Sequence, residues 1–223
     1  LRRQKESDGP NQWDERREAA AEIIRRHAPD LIGTQEGLAE QIGYLGEHFP
    51  EYGFLGEARF GGRRDEYNAI LYRKDRLVAE ATGNFWLSDT PEVPGSRSWG
   101  NLVPRMATWA RFREKDSGVR LFHLNTHLDH LVPQARRKGA QLIESRLPKD
   151  LPVVMTGDLN AIQQGGTVEF THDPRVAAEG AAGLWLGVAL GELAPAASDL
   201  QDPPRPTSGM SHRVTGAPPA RST

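Results

Sequence analysis

Three short apolar runs in this chain each stop abruptly in acid or amide residues. They read LIGTQE at 31–36, FHLNTHLD at 122–129 and VVMTGDLN at 153–160. A run of this length, bounded by turn formers, suits a buried strand. Its polar end has to reach solvent or find a partner, because a buried polar group without one is costly. Three strands would therefore deliver Glu36, then Asn125, His127 and Asp129, then Asp158 and Asn160 to their C-terminal edges. In layered α/β folds that edge is where sites are assembled.

The segments between these runs set the architecture. SDGPNQWDERREAAAEIIRRHAPD opens on turn residues, and Asn11 or Asp14 is placed to cap a helix reaching about His27. Ala20, Ile23, Ile24 and His27 share one face of that helix, and Pro29 ends it. Leu38, Ile42, Leu45 and Phe49 recur at helical spacing, which predicts a helix over 38–48. EYNAILYR (66–73) and RLVAEAT (76–82) read as a hairpin across Lys74–Asp75. FWLSDTPEVPGSRSWGNLVP (85–104) carries three prolines and reads as a long loop of the kind that borders functional sites. RMATWARFR (105–113) and VRLFHLNTH (119–127) are strands joined by a charged turn. A helix over about 133–147 follows, with Ala135, Leu142 and Leu147 on its apolar face. LWLGVALGEL (184–193) reads as a further helix, and nothing after Pro203 looks packed. Helices alternating with strands and hairpins predict one domain over 1–223, a mixed sheet between helix layers, with 203–223 irregular.

Composition narrows the chemistry. There is no cysteine, which excludes thiolate metal sites, disulfides and a cysteine nucleophile. A net charge of −2 supplies no global basic field for nucleic acid, although a local patch or a metal site could serve one. No run of 18 apolar residues exists, so no membrane span is expected. The chain begins at Leu1 rather than Met, so a signal peptide stays open; a cytoplasmic monomer is the expectation.

The tip residues form a coherent set. Carboxylates and amide oxygens suit a hard cation such as Mg2+ or Mn2+. Glu36 would bind it directly at ~2.1 Å. The ion would neutralise charge developing on phosphorus. Asp158 could accept a proton from water, Asn160 could orient that water or donate to a phosphoryl oxygen, and a protonated His127 could donate to the transition state. Together they describe metal-assisted phosphoester hydrolysis. Each residue also has a plainer reading: Glu36 as a surface acid, Gly157–Asp158 as a common turn, His127 as a satisfied partly buried histidine. His123, mid-strand, is expected to pack in the core, and the co-occurrence of three matching tips carries the chemistry.

PDLIGTQE, EYNAILYR, NTHLDH and TGDLNA, in that order, resemble the endonuclease/exonuclease/phosphatase (DNase I-like) superfamily over roughly residues 1–165. SDGPNQWDERR and NFWLSDTPEVPGSRSWG are most similar to a bacterial CCR4/nocturnin-like branch. The resemblance implies a four-layer α-β-β-α sandwich of two mixed sheets. It implies Glu36 as metal ligand, His127 as a phosphate-contacting catalytic residue, Asp158 as the water-activating acid and Asn160 as a phosphate holder. Arg105 matches a position where some relatives bind phosphate; Asn68, Asn101 and Asp129 are pocket candidates, and Trp86 and Trp99 border the pocket.

The family pattern also includes a first strand ending in a metal-binding Asn and two last strands, one carrying an Asp-His pair. Neither is found in this sequence, and His212 before RVTG does not take the role of that His. A weak or inactive enzyme is therefore expected, and a frameshift near PARST would account for the missing strands. The leading function is Mg2+-dependent phosphodiester hydrolysis by in-line water attack, on a nuclease or 3′–5′ exonuclease-like substrate. Nucleic acid or a nucleotide is the expected partner. The alternatives are a non-catalytic phosphate-binding relic and a sphingomyelinase-like enzyme or sugar or inositol phosphatase.

Overall fold

The structure, a computed structural model, describes residues 1, 9 and 11–161 and the backbone of 185–188. The described residues form helices α1 (Trp13–His27), α2 (Ala39–His48) and α3 (Pro133–Arg146). The strands are β1 (Leu31–Gly37), β2 (Tyr52–Leu55), β3 (Tyr67–Arg73), β4 (Leu77–Trp86), β5 (Met106–Glu114), β6 (Arg120–His127), β7 (Val153–Asp158) and β8 (Trp185–Val188). One sheet runs β1-β3-β2 and the other β4-β5-β6-β7-β8. The first is antiparallel; the second turns parallel from β6 onward.

Alternation along the strands stacks four layers. Tyr67, Ala69 and Leu71 of β3 pack with Ala21 of α1 and Ile42 and Leu45 of α2. The intervening Ile70 packs with Ala110 and Phe112 of β5, on the face between the sheets. Phe122 and Leu124 of β6 and Met155 of β7 pack with Ile143 of α3. The anticipated four-layer sandwich is thus what forms. Leu1–Gly191 makes one compact unit. The single domain expected over 1–223 extends into residues 192–223, which lie outside the described part, as do His212 and the irregular 203–223 segment.

Several local expectations change. The strands at 67–73 and 77–86 are not a hairpin. Both edges of β3 are already taken by β1 and β2, so the turn at 74–76 carries the chain into the other sheet. Phe85 and Trp86 close β4, opposite Ala107 and Met106, rather than opening the loop. Trp185–Val188 pairs in parallel with β7 as an edge strand, so the helix read from LWLGVALGEL gives way to sheet pairing there. The N-cap of α1 is Gln12, without a side-chain cap, rather than Asn11 or Asp14.

A buried polar seam joins the sheets. Asn125 donates through Nδ2 to the carbonyls of Thr34 and Ala69, at 2.9 and 3.0 Å. Its Oδ1 accepts from Gln35 Nε2 at 2.7 Å and from the Thr156 hydroxyl at 2.9 Å. Thr156 has spent its proton, so the 3.0 Å contact with His123 requires His123 Nε2 to donate. Gly33 lies against this seam, where a Cβ would fall on Thr156 and Asn125. Burial pushes His123 down to about 4.

The seam predicts an acid-sensitive fold. An unfolded imidazole takes up its proton near pH 6.5, as folded His123 does only near 4. This contribution is complete above pH 6.5 and is lost as the pH falls toward 4, because the unfolded state binds the proton first. Urea unfolding at pH 7.0, 5.5 and 4.5 should show falling stability, with a shallower fall in His123→Gln. Parallel falls in the two proteins would contradict it.

Candidate active site

The faces fixed by packing decide where the strand tips point. With Phe122 and Leu124 against α3, residues 123, 125 and 127 fall on the opposite face of β6. The same alternation puts 154, 156 and 158 of β7 on that face. Parallel register then sets His127 beside Asp158. His127 Nε2 lies 3.7 Å from Asp158 Oδ2, a gap that an added oxygen atom could bridge. The Asn160 N–H donates to Asp158 Oδ1 at 2.9 Å, and Asn160 Nδ2 donates to the Leu128 carbonyl at 2.9 Å. Asn160 therefore ties the end of β7 to the end of β6.

Glu36 lies near the end of β1, in the other sheet, and its charge acts on Arg105. The β1–β3 register shifts between Thr34 and Gly37, and Glu36 has φ 58°. A bulge of this kind re-aims a side chain that strict alternation would send to the helix face. Asn160 is also left-handed, at φ 48°. Left-handed non-glycine residues cost about 1–3 kcal/mol each and gather at functional sites.

Arg105 is 6% exposed, and its Nη2 donates to His130 Nδ1 at 2.8 Å. Asp129 accepts from the Leu131 and Val132 N–H groups at 2.9 and 2.6 Å, fixing the turn into α3. Burial first, then the positive charges of Arg105 and Arg59, push His127 down to about 2. His127 is therefore neutral, not the protonated donor expected from sequence, although one N–H remains able to donate. Arg105 is itself shifted down by burial, with Asp129 opposing and Arg59 adding to the shift.

Glu36, Arg105, His127, Asp129, Asp158 and Asn160 thus gather at neighbouring strand ends. Two candidates spend amide groups on structural hydrogen bonds. Asn101 spends its amide inside the loop, on the Ser98 N–H and the Val103 carbonyl. Asn68 donates to the Met106 carbonyl at 2.8 Å, a buried tie between the sheets. Trp99 stays in the long loop, at φ 61°, with its indole on Asp89. Trp86 instead donates its indole N–H to the Arg59 carbonyl at 2.6 Å.

Arg59 was not singled out from sequence. It is buried and pairs with Asp65 at 2.8 Å and Glu66 at 2.7 Å. Its only sequence signal is an arginine among apolar and glycine residues, followed by an acidic pair. Glu36 offers a hard oxygen donor. Among the described residues, however, no group of three or more acidic or histidine side chains is arranged to hold a metal ion. The described residues therefore do not complete a ligand shell for Mg2+.

A sandwich of two facing sheets with its polar cluster at the strand tips is DNase I-like in design. The chain belongs to the Endonuclease/Exonuclease/phosphatase family, which it matches over residues 4–221. A mannosyl-6-phosphatase of Bacteroides thetaiotaomicron is similar, at 35% identity and TM-score 0.70, over 74% of this chain and 64% of that one. An uncharacterized protein of Acanthamoeba polyphaga mimivirus is 28% identical over 66% of this chain and 59% of its own length. The human Nocturnin catalytic domain shares the fold, at 17% identity and TM-score 0.55, over 67% of this chain and 58% of that one. The chain thus spans about 60% of the length of these relatives. No helix among the described residues is long and apolar enough to cross a membrane.

Arg59 makes a testable claim about how the site is held. Removing one partner from a buried ion pair strands the others and costs about 3–5 kcal/mol. Arg59→Ala should therefore lose about 3 kcal/mol in urea unfolding, and Arg59→Lys should recover only part, because lysine lacks the planar fork. An Arg59→Ala protein as stable as wild type would show that Asp65 and Glu66 do not depend on it.

Proposed function

We propose that the chain hydrolyses phosphate esters at the tips of β6 and β7, with a divalent cation as cofactor. The observation that carries this reading is the in-register His127–Asp158 pair, with Asn160 bound back onto Asp158. Asp158 takes a proton from water as that water attacks phosphorus. Asn160, anchored by the Leu128 carbonyl, fixes the direction of the Asp158 carboxylate. Neutral His127 donates its N–H to a phosphoryl oxygen, and Arg105 adds positive charge where the transition state gathers negative charge. Glu36 would supply one oxygen ligand to Mg2+, which when bound neutralises a phosphoryl oxygen.

Two substrate classes fit. Similarity to a mannosyl-6-phosphatase supports a phosphomonoester of a small polar alcohol such as a sugar. The diester reading from the sequence motifs supports a nucleotide or a short single-stranded end. The low net charge of −2 favours small substrates over a long duplex groove in both.

The test uses p-nitrophenyl phosphate, mannose 6-phosphate and bis-p-nitrophenyl phosphate with Mg2+. Asp158→Ala and His127→Ala should each lower kcat/KM by about 10²–10⁴-fold with folding unchanged. EDTA should abolish turnover and added Mg2+ should restore it. Turnover that survives both substitutions would reject the site. Turnover indifferent to EDTA would reject the metal.

A further inference from the structure

Arg105 is an unusual buried arginine. Such a group is normally neutralised by a carboxylate, as Arg59 is by Asp65 and Glu66. Among the described residues Arg105 has no ion pair, and its one hydrogen-bonding side chain is His130. Its Nε is buried without any partner. A guanidinium has only donors, so His130 Nδ1 must accept and the His130 proton must sit on Nε2. His130 is itself exposed, on the turn that Asp129 fixes through Leu131 and Val132 and that Arg136 braces through the Asp129 carbonyl. A rigid turn therefore holds a neutral acceptor against a buried cation whose charge no carboxylate cancels at contact distance. The Nε of Arg59 is likewise without a partner, so the missing carboxylate rather than the orphaned Nε sets Arg105 apart.

We propose that His130 is a positioning residue for Arg105: its Nδ1 fixes the guanidinium so that the remaining N–H groups face a phosphoryl oxygen of the substrate. The proposal rests on the reading of Arg105 as a phosphate-binding residue. A neutral acceptor suits this role better than a carboxylate. It holds the guanidinium in one orientation without cancelling the charge needed for the substrate anion.

Amide substitutions separate this role from a contact made by the outer face of the ring. His130→Asn keeps an acceptor near the Nδ1 position, whereas His130→Gln places its amide near Nε2. The probe is inorganic phosphate, titrated by two-dimensional NMR into the full chain in EDTA. Arg105→Gln and His130→Ala should each weaken phosphate binding about tenfold, as expected for losing a charge-assisted hydrogen bond. His130→Asn should return to within about twofold of wild type, and His130→Gln should resemble His130→Ala. His130 is exposed, so all three variants should melt with wild type. A His130→Ala chain that binds phosphate as wild type does, or rescue by Gln but not Asn, overturns the positioning role while leaving Arg105 in place. A wild-type chain without phosphate affinity, or an Arg105→Gln chain that binds normally, removes the reading of Arg105 and the proposal with it.

Discussion

The amide of Asn125 is the joint on which this structure turns. It is fully buried and reaches the backbone of β1 and β3 with one end and Gln35 and Thr156 with the other. Buried polar groups are costly unless satisfied, and a satisfied network specifies one arrangement of the elements around it. Here it sets how the two sheets face each other. His123, Asn125 and His127 lie along one face of β6. The seam and the site are one continuous row of side chains, with the core behind and the reactive tip in front.

Much of this was legible in the residues. The tips of 122–129 and 153–160 converge because parallel pairing of β6 with β7 brings like ends together, whereas 31–36 belongs to the facing sheet. The conformation of Glu36 was not legible. The register shift between Thr34 and Gly37 and the left-handed backbone at Glu36 lie in dihedrals that a single sequence does not reveal. Asn68 and Asn101 were chosen because their types match the chemistry; structural hydrogen bonds hold the Asn68 Nδ2 and both ends of the Asn101 amide. The hairpin at 66–82 failed because a strand's neighbours depend on which edges are free. Arg59 was passed over, and His130 ranked below His127, because their partners, Asp65 with Glu66 and Arg105, take meaning only in three dimensions.

Electrostatics gives the cluster its character. Two arginines stand near His127, one compensated by carboxylates and one held by a neutral ring. Their charge, added to burial, keeps the imidazole neutral. The positive charge beside His127 therefore comes from arginine rather than from a protonated imidazole. The acidic members, Glu36 and Asp158, are set at the tips of different strands, β1 and β7.

The most direct measurement is a crystal structure of the chain soaked with tungstate, a heavy phosphate mimic. The account predicts an oxyanion at the ends of β6 and β7, with oxygens within hydrogen-bond reach of His127 Nε2 and the Arg105 guanidinium. Tungstate bound elsewhere, with these two side chains contacting only solvent, would contradict it.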